Sequence, residues 1–233
     1  DAVNVANDDM QTKTSLIESR LICGDAGLFE QFQKRVEVKC VRSHIDDYLQ
    51  MRIADQDARR VKFGNSALLQ APNIKNGCGG LRDYQNLLWM THFKYGTRTL
   101  AELEAQEMIR PNNRAQLEEG YGFLLQVRNE LHYQTKRPSD DLHKALQPKV
   151  AWQLGYKDRS PARRLEAFMR DLYMHMRRIH LITRMVERRL ALRPKPSRRI
   201  PLLRSLFGGG EKQETLDGFQ VIEGELVPVS SRV

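Results

Sequence analysis

Residues 161–192 read PARRLEAFMRDLYMHMRRIHLITRMVERRLAL, and their spacing decides the class of fold. Leu165, Phe168, Leu172, Met176, Ile179, Thr183, Val186 and Leu190 recur at intervals of three or four, the period of one face of an α-helix. At 1.5 Å per residue this helix is about 45 Å long, with an apolar stripe that calls for partners. Working outward, the same period predicts helices over 26–41, over 43–62 with Ser43 as N-cap, and over 81–95 with Gly96 as the stop. Further helices are expected over 99–108, over 112–136, and from beyond Pro138 to the Leu-Gly-Tyr of 154–156. Long helices joined by short loops predict a mainly α protein, an antiparallel helical bundle. Strand signals are confined to TSLIESRLICGD (14–25) and SALLQAP (66–72), both β-branched or apolar and bounded by turn residues. From Pro194 the prolines and the Gly-Gly-Gly of 208–210 predict an extended arm. The arm's end, DGFQVIEGELVPV (217–229), alternates apolar and polar residues and predicts a hairpin turning at Glu223-Gly224.

The 233 residues, 40% hydrophobic and 29% charged, supply enough apolar surface for a core. No stretch approaches the roughly 20 apolar residues of a membrane span. The chain opens without methionine and in mid-pattern, which reads as a piece of a longer polypeptide. Cys23, Cys40 and Cys78 are odd in number and widely spaced, which speaks against a disulfide framework or a zinc site and for a reducing, cytoplasmic setting. His175 and His180, five apart, point about 140° from each other on a helix and do not form a metal pair. Asp55-Gln56-Asp57 has Asp-x-Asp spacing but sits in a helical pattern without a preceding Gly-Ser turn, and reads as a solvated helix face. The net charge of +9 is concentrated in 159–204, where fourteen Lys and Arg face Glu166, Asp171 and Glu187 alone. Such a region suits an anionic partner or packs on an acidic neighbour. Without aromatic-basic interleaving or a recognised nucleic-acid motif, nucleic acid is the less expected partner. Trp89, Trp152, Tyr173, Met169, Met174 and Met176 read as core by their spacing.

The densest glycine cluster of the globular part is PNIKNGCGGLRDY, residues 72–84. It matches neither Gly-x-Gly-x-x-Gly nor a Walker loop. Its glycines, Lys75, Arg82 and a following helix start suit either a phosphate or a plain structural corner. The stretch closely resembles the Lys-xxx-Gly-Gly-Leu-Arg-Asp signature of the protein-PII uridylyltransferases and their relatives, the glutamine-synthetase adenylyltransferases. Four further segments resemble that family in order: TKTSLIESRLICGD (12–25), VRNELH (127–132), DDLHKALQPKVAWQLGY (140–156) and DGFQVIEG (217–224). Asp83, where adenylyltransferases tend to carry glutamate, and the Arg-x-x-Leu-His pattern of 128–132 lean toward the uridylyl branch. Cys78 and Tyr84 depart from the usual proline and isoleucine.

The resemblance implies residues 1–72 as the closing, α/β remnant of a nucleotidyltransferase core, 73–192 as a helical domain and 193–233 as an arm. It implies a parent enzyme that moves UMP from UTP to a tyrosine of the PII nitrogen-regulatory protein with Mg²⁺. Lys75, Gly79, Gly80, Arg82 and Asp83 become nucleotide-binding candidates, while Arg128 and His132 either meet the catalytic domain or substrate, or form a buried structural pair. The family's Gly-Ser…Asp-x-Asp carboxylates, its His-Asp hydrolase domain and its glutamine-sensing domains have no counterpart here. No catalytic residue and no metal ligand is therefore expected in this chain, and the chain alone is expected to be inactive.

Overall fold

The computed structural model describes residues 2–192 together with 215–216, 219–222 and 225–228. Its helices are α1 (Ala2–Asp8), α2 (Met10–Ile17), α3 (Ala26–Val36), α4 (Ile45–Phe63), α5 (Leu81–Tyr95), α6 (Leu100–Ala105), α7 (Pro111–Thr135), α8 (Gln147–Gln153) and α9 (Pro161–Leu192). A π-helical stretch, Glu37–Arg42, continues α3. The chain divides into two units, Asp1–Arg188 and Arg189–Val233. In the second unit, β1 (Thr215–Leu216), β2 (Phe219–Ile222) and β3 (Glu225–Pro228) form an antiparallel sheet in the order β1-β2-β3, with Ile222 opposite Glu225. The first three prolines and the glycine triplet of the expected arm lie outside the described residues.

The helices begin and end for local reasons. Asp9 and Asp25 cap α2 and α3 by accepting the amides of Thr12 and Leu28, each at 2.7 Å. Pro111 starts α7 where no amide bond is needed, and Gly96 ends α5 with φ +73. The N-cap of α4 is His44 rather than Ser43, whose hydroxyl instead donates to the Lys39 carbonyl at 2.9 Å, closing the π-helical stretch.

In the first unit both expected strands are absent. Thr14–Ile17 are helical, because Lys13, Thr14 and Ile17 bury one face of α2 in the cluster of Val36, Val41, Tyr48, Trp89 and Phe93. Tertiary packing there outweighs the β-branched composition. Residues 64–72 are irregular, and side chains take up their carbonyls. Gln147 Nε2 donates to Gln70 O at 2.6 Å, and Tyr173 Oη donates to Leu69 O at 3.0 Å. The α/β remnant expected in 1–72 is therefore helix and loop in the described residues.

The long helices meet in reverse order along their lengths. Tyr48 stacks on Phe93, Arg52 lies over Trp89, and Arg59 reaches Asp83, so α4 descends as α5 ascends. On α7, Glu119 reaches Arg178 and Phe123 packs on Phe168, so α9 runs back along it. Leu117, Leu124, Val127 and Leu131 of α7 and Phe168, Leu172, Met176 and Ile179 of α9 are buried. Trp89, Met169 and Met176 are core as expected. Trp152 is half exposed under the Arg164 guanidinium, and Met174 is 37% exposed, because both lie on outward helix faces. The exposed face of α9 carries Arg163, Arg170, Arg177 and Arg188.

Candidate functional site

The glycine loop is built from its own backbone. Asn73 Oδ1 accepts the amides of Lys75 and Asn76, and Gly77 N donates to Asn73 O at 2.9 Å. Leu81 N and Arg82 N then return to the carbonyls of Ile74 and Lys75, which folds the loop onto the first turn of α5. Gly79 N donates to Asp83 Oδ2 at 2.8 Å and Gly80 N to Gly77 O at 2.9 Å. The amides of 79–83 are thus consumed internally and do not form an open anion cradle. A side chain at Gly79, whose φ is +74, would place Cβ 1.9 Å from the Met176 carbonyl of α9; one at Gly80 would meet Ile74 O at 2.7 Å. These two glycines exist for close backbone approach. The loop's first function is to turn a corner against α9.

Asp83, fully buried, is the hub beneath it. Its carboxylate accepts from Gly79 N and from Arg59 Nη2 at 2.9 Å, with Arg60 Nη2 at 3.6 Å and His180 Nδ1 at 4.0 Å. Burial pushes Asp83 upward, but His180, the two arginines and the Gly79 amide outweigh it and hold the acid below its ordinary value. Its partner His180 is pushed up to about 9, first by Asp83 and then by Cys78, whose sulfur lies 3.1 Å from Nδ1. Glu187 completes the cluster: Gln56 donates to it at 2.6 Å and Arg60 lies 3.4 Å away. Burial raises its pKa, and Arg60 only partly offsets this. Asn86 Nδ2 donates to Gln56 Oε1 at 2.9 Å, so α4, α5 and α9 are tied by one buried polar network.

Of the other expected site residues, Arg82 and Lys75 are half-buried at the loop's outer edge. The Arg82 guanidinium lies 5.2 Å from the Trp89 ring centroid, sharing that ring with Arg52, and Trp89 Nε1 donates to Glu18 at 2.6 Å. Burial lowers the Arg82 pKa, and the cations of Arg59 and Arg52 lower it further. Arg128 and His132 are separate from this edge but connected to the loop through Asp140. Arg128 Nε donates to Asp140 Oδ1 at 2.6 Å, His132 Nε2 is 3.9 Å from the same oxygen, and the Asp140 carbonyl accepts Ile74 N at 2.7 Å.

The residues that organise the site, Gln56, Arg59, Arg60, His180 and Glu187, are not apparent from the loop motif. One signal was available. Tyr48, Arg52, Gln56 and Arg60 recur every four residues along α4, a polar stripe at the spacing of a buried face. The donor set does not fit a divalent cation. Among the described residues no three or more His, Cys, Asp or Glu side chains are arranged to hold a metal ion. Asp55 and Asp57 are largely exposed, and each faces an arginine. Cys40 and Cys78 are buried and Cys23 is exposed, none of them in a disulfide, and no described helix is long and apolar enough to cross a membrane.

Comparison with known proteins bears on this same region. The chain is 30% identical over 184 residues to the bifunctional uridylyltransferase/uridylyl-removing enzyme of Rhodospirillum rubrum, covering 79% of this chain and 20% of that protein. It is 30% identical over 227 residues to the enzyme of that name from Ruegeria pomeroyi, covering 97% and 24%. With the Azospirillum brasilense enzyme it shares 27% over 231 residues, covering 99% and 24%. The chain thus spans about a quarter or less of the length of these relatives. No solved structure matches it. The GlnD PII-uridylyltransferase family model matches residues 47–187, from the start of α4 through Glu187, and with it the whole buried network. On that match, the chain belongs to the GlnD PII-uridylyltransferase family.

Proposed function

We propose that this chain is the nucleotide- and acceptor-positioning part of a cytoplasmic enzyme that transfers UMP from UTP to a tyrosine of the PII protein. In that reaction the tyrosine oxygen bonds to the α-phosphorus, the bond to the pyrophosphate oxygen breaks, and pyrophosphate and the phenolic proton leave. Mg²⁺, held by carboxylates outside this chain, would neutralise the developing phosphate charge. The contribution of this chain is a rigid cationic edge. The observation that carries the reading is Arg82, a half-buried cation that lies over an aromatic ring and is crowded by Arg59 and Arg52, with Asp55 and Glu18 only partly offsetting that crowding. The neighbouring Arg59 is spent on Asp83, which leaves Arg82 and Lys75 as the groups suited to a nucleotide's phosphates. Gly79, Gly80 and Asp83 then act from behind, holding that edge against α9, and Arg128 and His132 brace the loop through Asp140.

The test compares Arg82→Gln with the wild-type sequence in the polypeptide that also carries the nucleotidyltransferase core, using labelled UTP and PII protein. Loss of one charge-assisted phosphate contact, about 1.5–3 kcal/mol, predicts a roughly 10- to 100-fold lower kcat/KM for UTP with unchanged thermal stability. Unchanged kinetics would remove Arg82 from the nucleotide site. This chain alone is expected to transfer no UMP, and robust transfer by it would refute the division of labour.

A further inference from the structure

A concavity lies away from the glycine loop, where the end of α2, the α3–π-helix junction and the end of α5 meet. It is a cavity of about 300 Å³. Its walls are apolar: Ile17, Val36 and Val41 are each at most 8% exposed. Its rim is basic: Lys34, Arg42 and Arg98 are exposed and line it, and Glu37, 3.1 Å from Arg42, is the one acid among the lining residues.

Two features mark this cavity as more than a packing gap. One is His92, which lines it, is only 7% exposed and keeps Nδ1 buried without a hydrogen-bond partner. Nδ1 itself is sealed from solvent, so the ring meets the cavity through its other edge. Burial, then the Arg98 cation, holds His92 below its ordinary value against the pull of Glu37 and of the Gly96 and Thr97 backbone, which favours the neutral ring with one N–H to donate. The other is the wall itself. Glu37–Arg42 is π-helical, a geometry less favourable than α that recurs at functional sites.

We infer that this cavity binds a small amphipathic monoanion, its apolar body against Ile17, Val36 and Val41 and its carboxylate held by Arg98, Lys34 and the His92 ring. The volume suits a body of a few carbons, and the charge balance of the rim selects an anion over a cation. This site is independent of the uridylyl-transfer reading, because none of its lining residues belongs to the Asp83 network or the Arg82 edge.

Hexanoate, with hexan-1-ol and hexylammonium as matched controls, tests the inference on the intact chain. The readout is the ¹⁵N shift of the His92 ring, assigned by its loss in His92→Asn, together with the melting temperature. Hexanoate is expected to move the His92 nitrogens saturably and raise the melting temperature, with hexanol at least about threefold weaker and hexylammonium without effect. That difference is the size expected from an exposed ion pair. Arg98→Glu, an exposed substitution that leaves the core untouched, is expected to abolish the preference for hexanoate over hexylammonium. An equal response to hexanoate and hexanol would overturn the anion site. No response to any of the three would overturn the cavity as a ligand site. A His92 shift that follows protein concentration instead would assign the cavity to a contact between chains and likewise overturn the proposal.

Discussion

His180 makes the stability of the protein depend on pH in a direction that can be worked out in advance. Its ordinary pKa is 6.5, and beside Asp83 and Cys78 it is pushed up to about 9. A group whose pKa is raised on folding contributes stability that is fully present below its unfolded value and lost as the pH rises through its folded one. The window is therefore pH 6.5 to about 9. At about 1.36 kcal/mol per tenfold change in proton affinity, the contribution is about 3 kcal/mol, an upper value because a quarter of the ring meets solvent. Burial holds His92 and His175 below 6.5, and Tyr84 is pushed up to about 12, so these three titrate outside the window. Urea denaturation followed by circular dichroism at pH 6, 7.5 and 9.5 measures the effect. The wild-type chain is expected to lose up to about 3 kcal/mol across the window, whereas His180→Gln starts lower and stays flat, so the two converge at high pH. Parallel curves for the two proteins, or a flat wild-type curve, would refute the assigned pairing of His180 with Asp83.

The remaining predictions concern the same corner. Gly79 and Gly96 have nearly equal positive φ, +74 and +73, but only Gly79 has a backbone neighbour where its Cβ would stand. Gly96→Ala is expected to cost about 1 kcal/mol, the penalty of a left-handed residue, while Gly79→Ala costs about 3 kcal/mol or more because α9 must move. Equal melting temperatures for the two variants would show that the loop does not press on α9. Asp83→Asn leaves Arg59 without its buried acid and Arg60 with only Glu187 as a buried acid, and chemical denaturation at pH 7 should show a loss of about 3–5 kcal/mol. A loss under 1 kcal/mol would mean that solvent already screens the cluster.

Much of this was legible in the order of residues. Apolar spacing in 161–192 was enough to predict α9, because a helix of that length shows its face in its own periodicity. Gly96 and Pro111 likewise mark helix ends through backbone constraints that no neighbour needs to supply. The sequence also carried the family signature across 72–84, a matter of residue identity alone. What it could not decide was the use of polar groups. Thr14–Ile17 look like a strand until one sees that Lys13, Thr14 and Ile17 need a single helical face to enter the core. Asp83 reads as a ligand contact beside Arg82, yet burial by α4 and α9 turns it inward to bind Arg59, Arg60 and the Gly79 amide. Partners 24 and 97 residues away, Arg59 and His180, set its charge state, and their distance along the chain leaves no local pattern to read. The helices were local consequences of composition; which side chains of one five-residue turn, Gly79 to Asp83, are buried and which stay at its edge belonged to the tertiary structure, because only packing determines which charges lose their water.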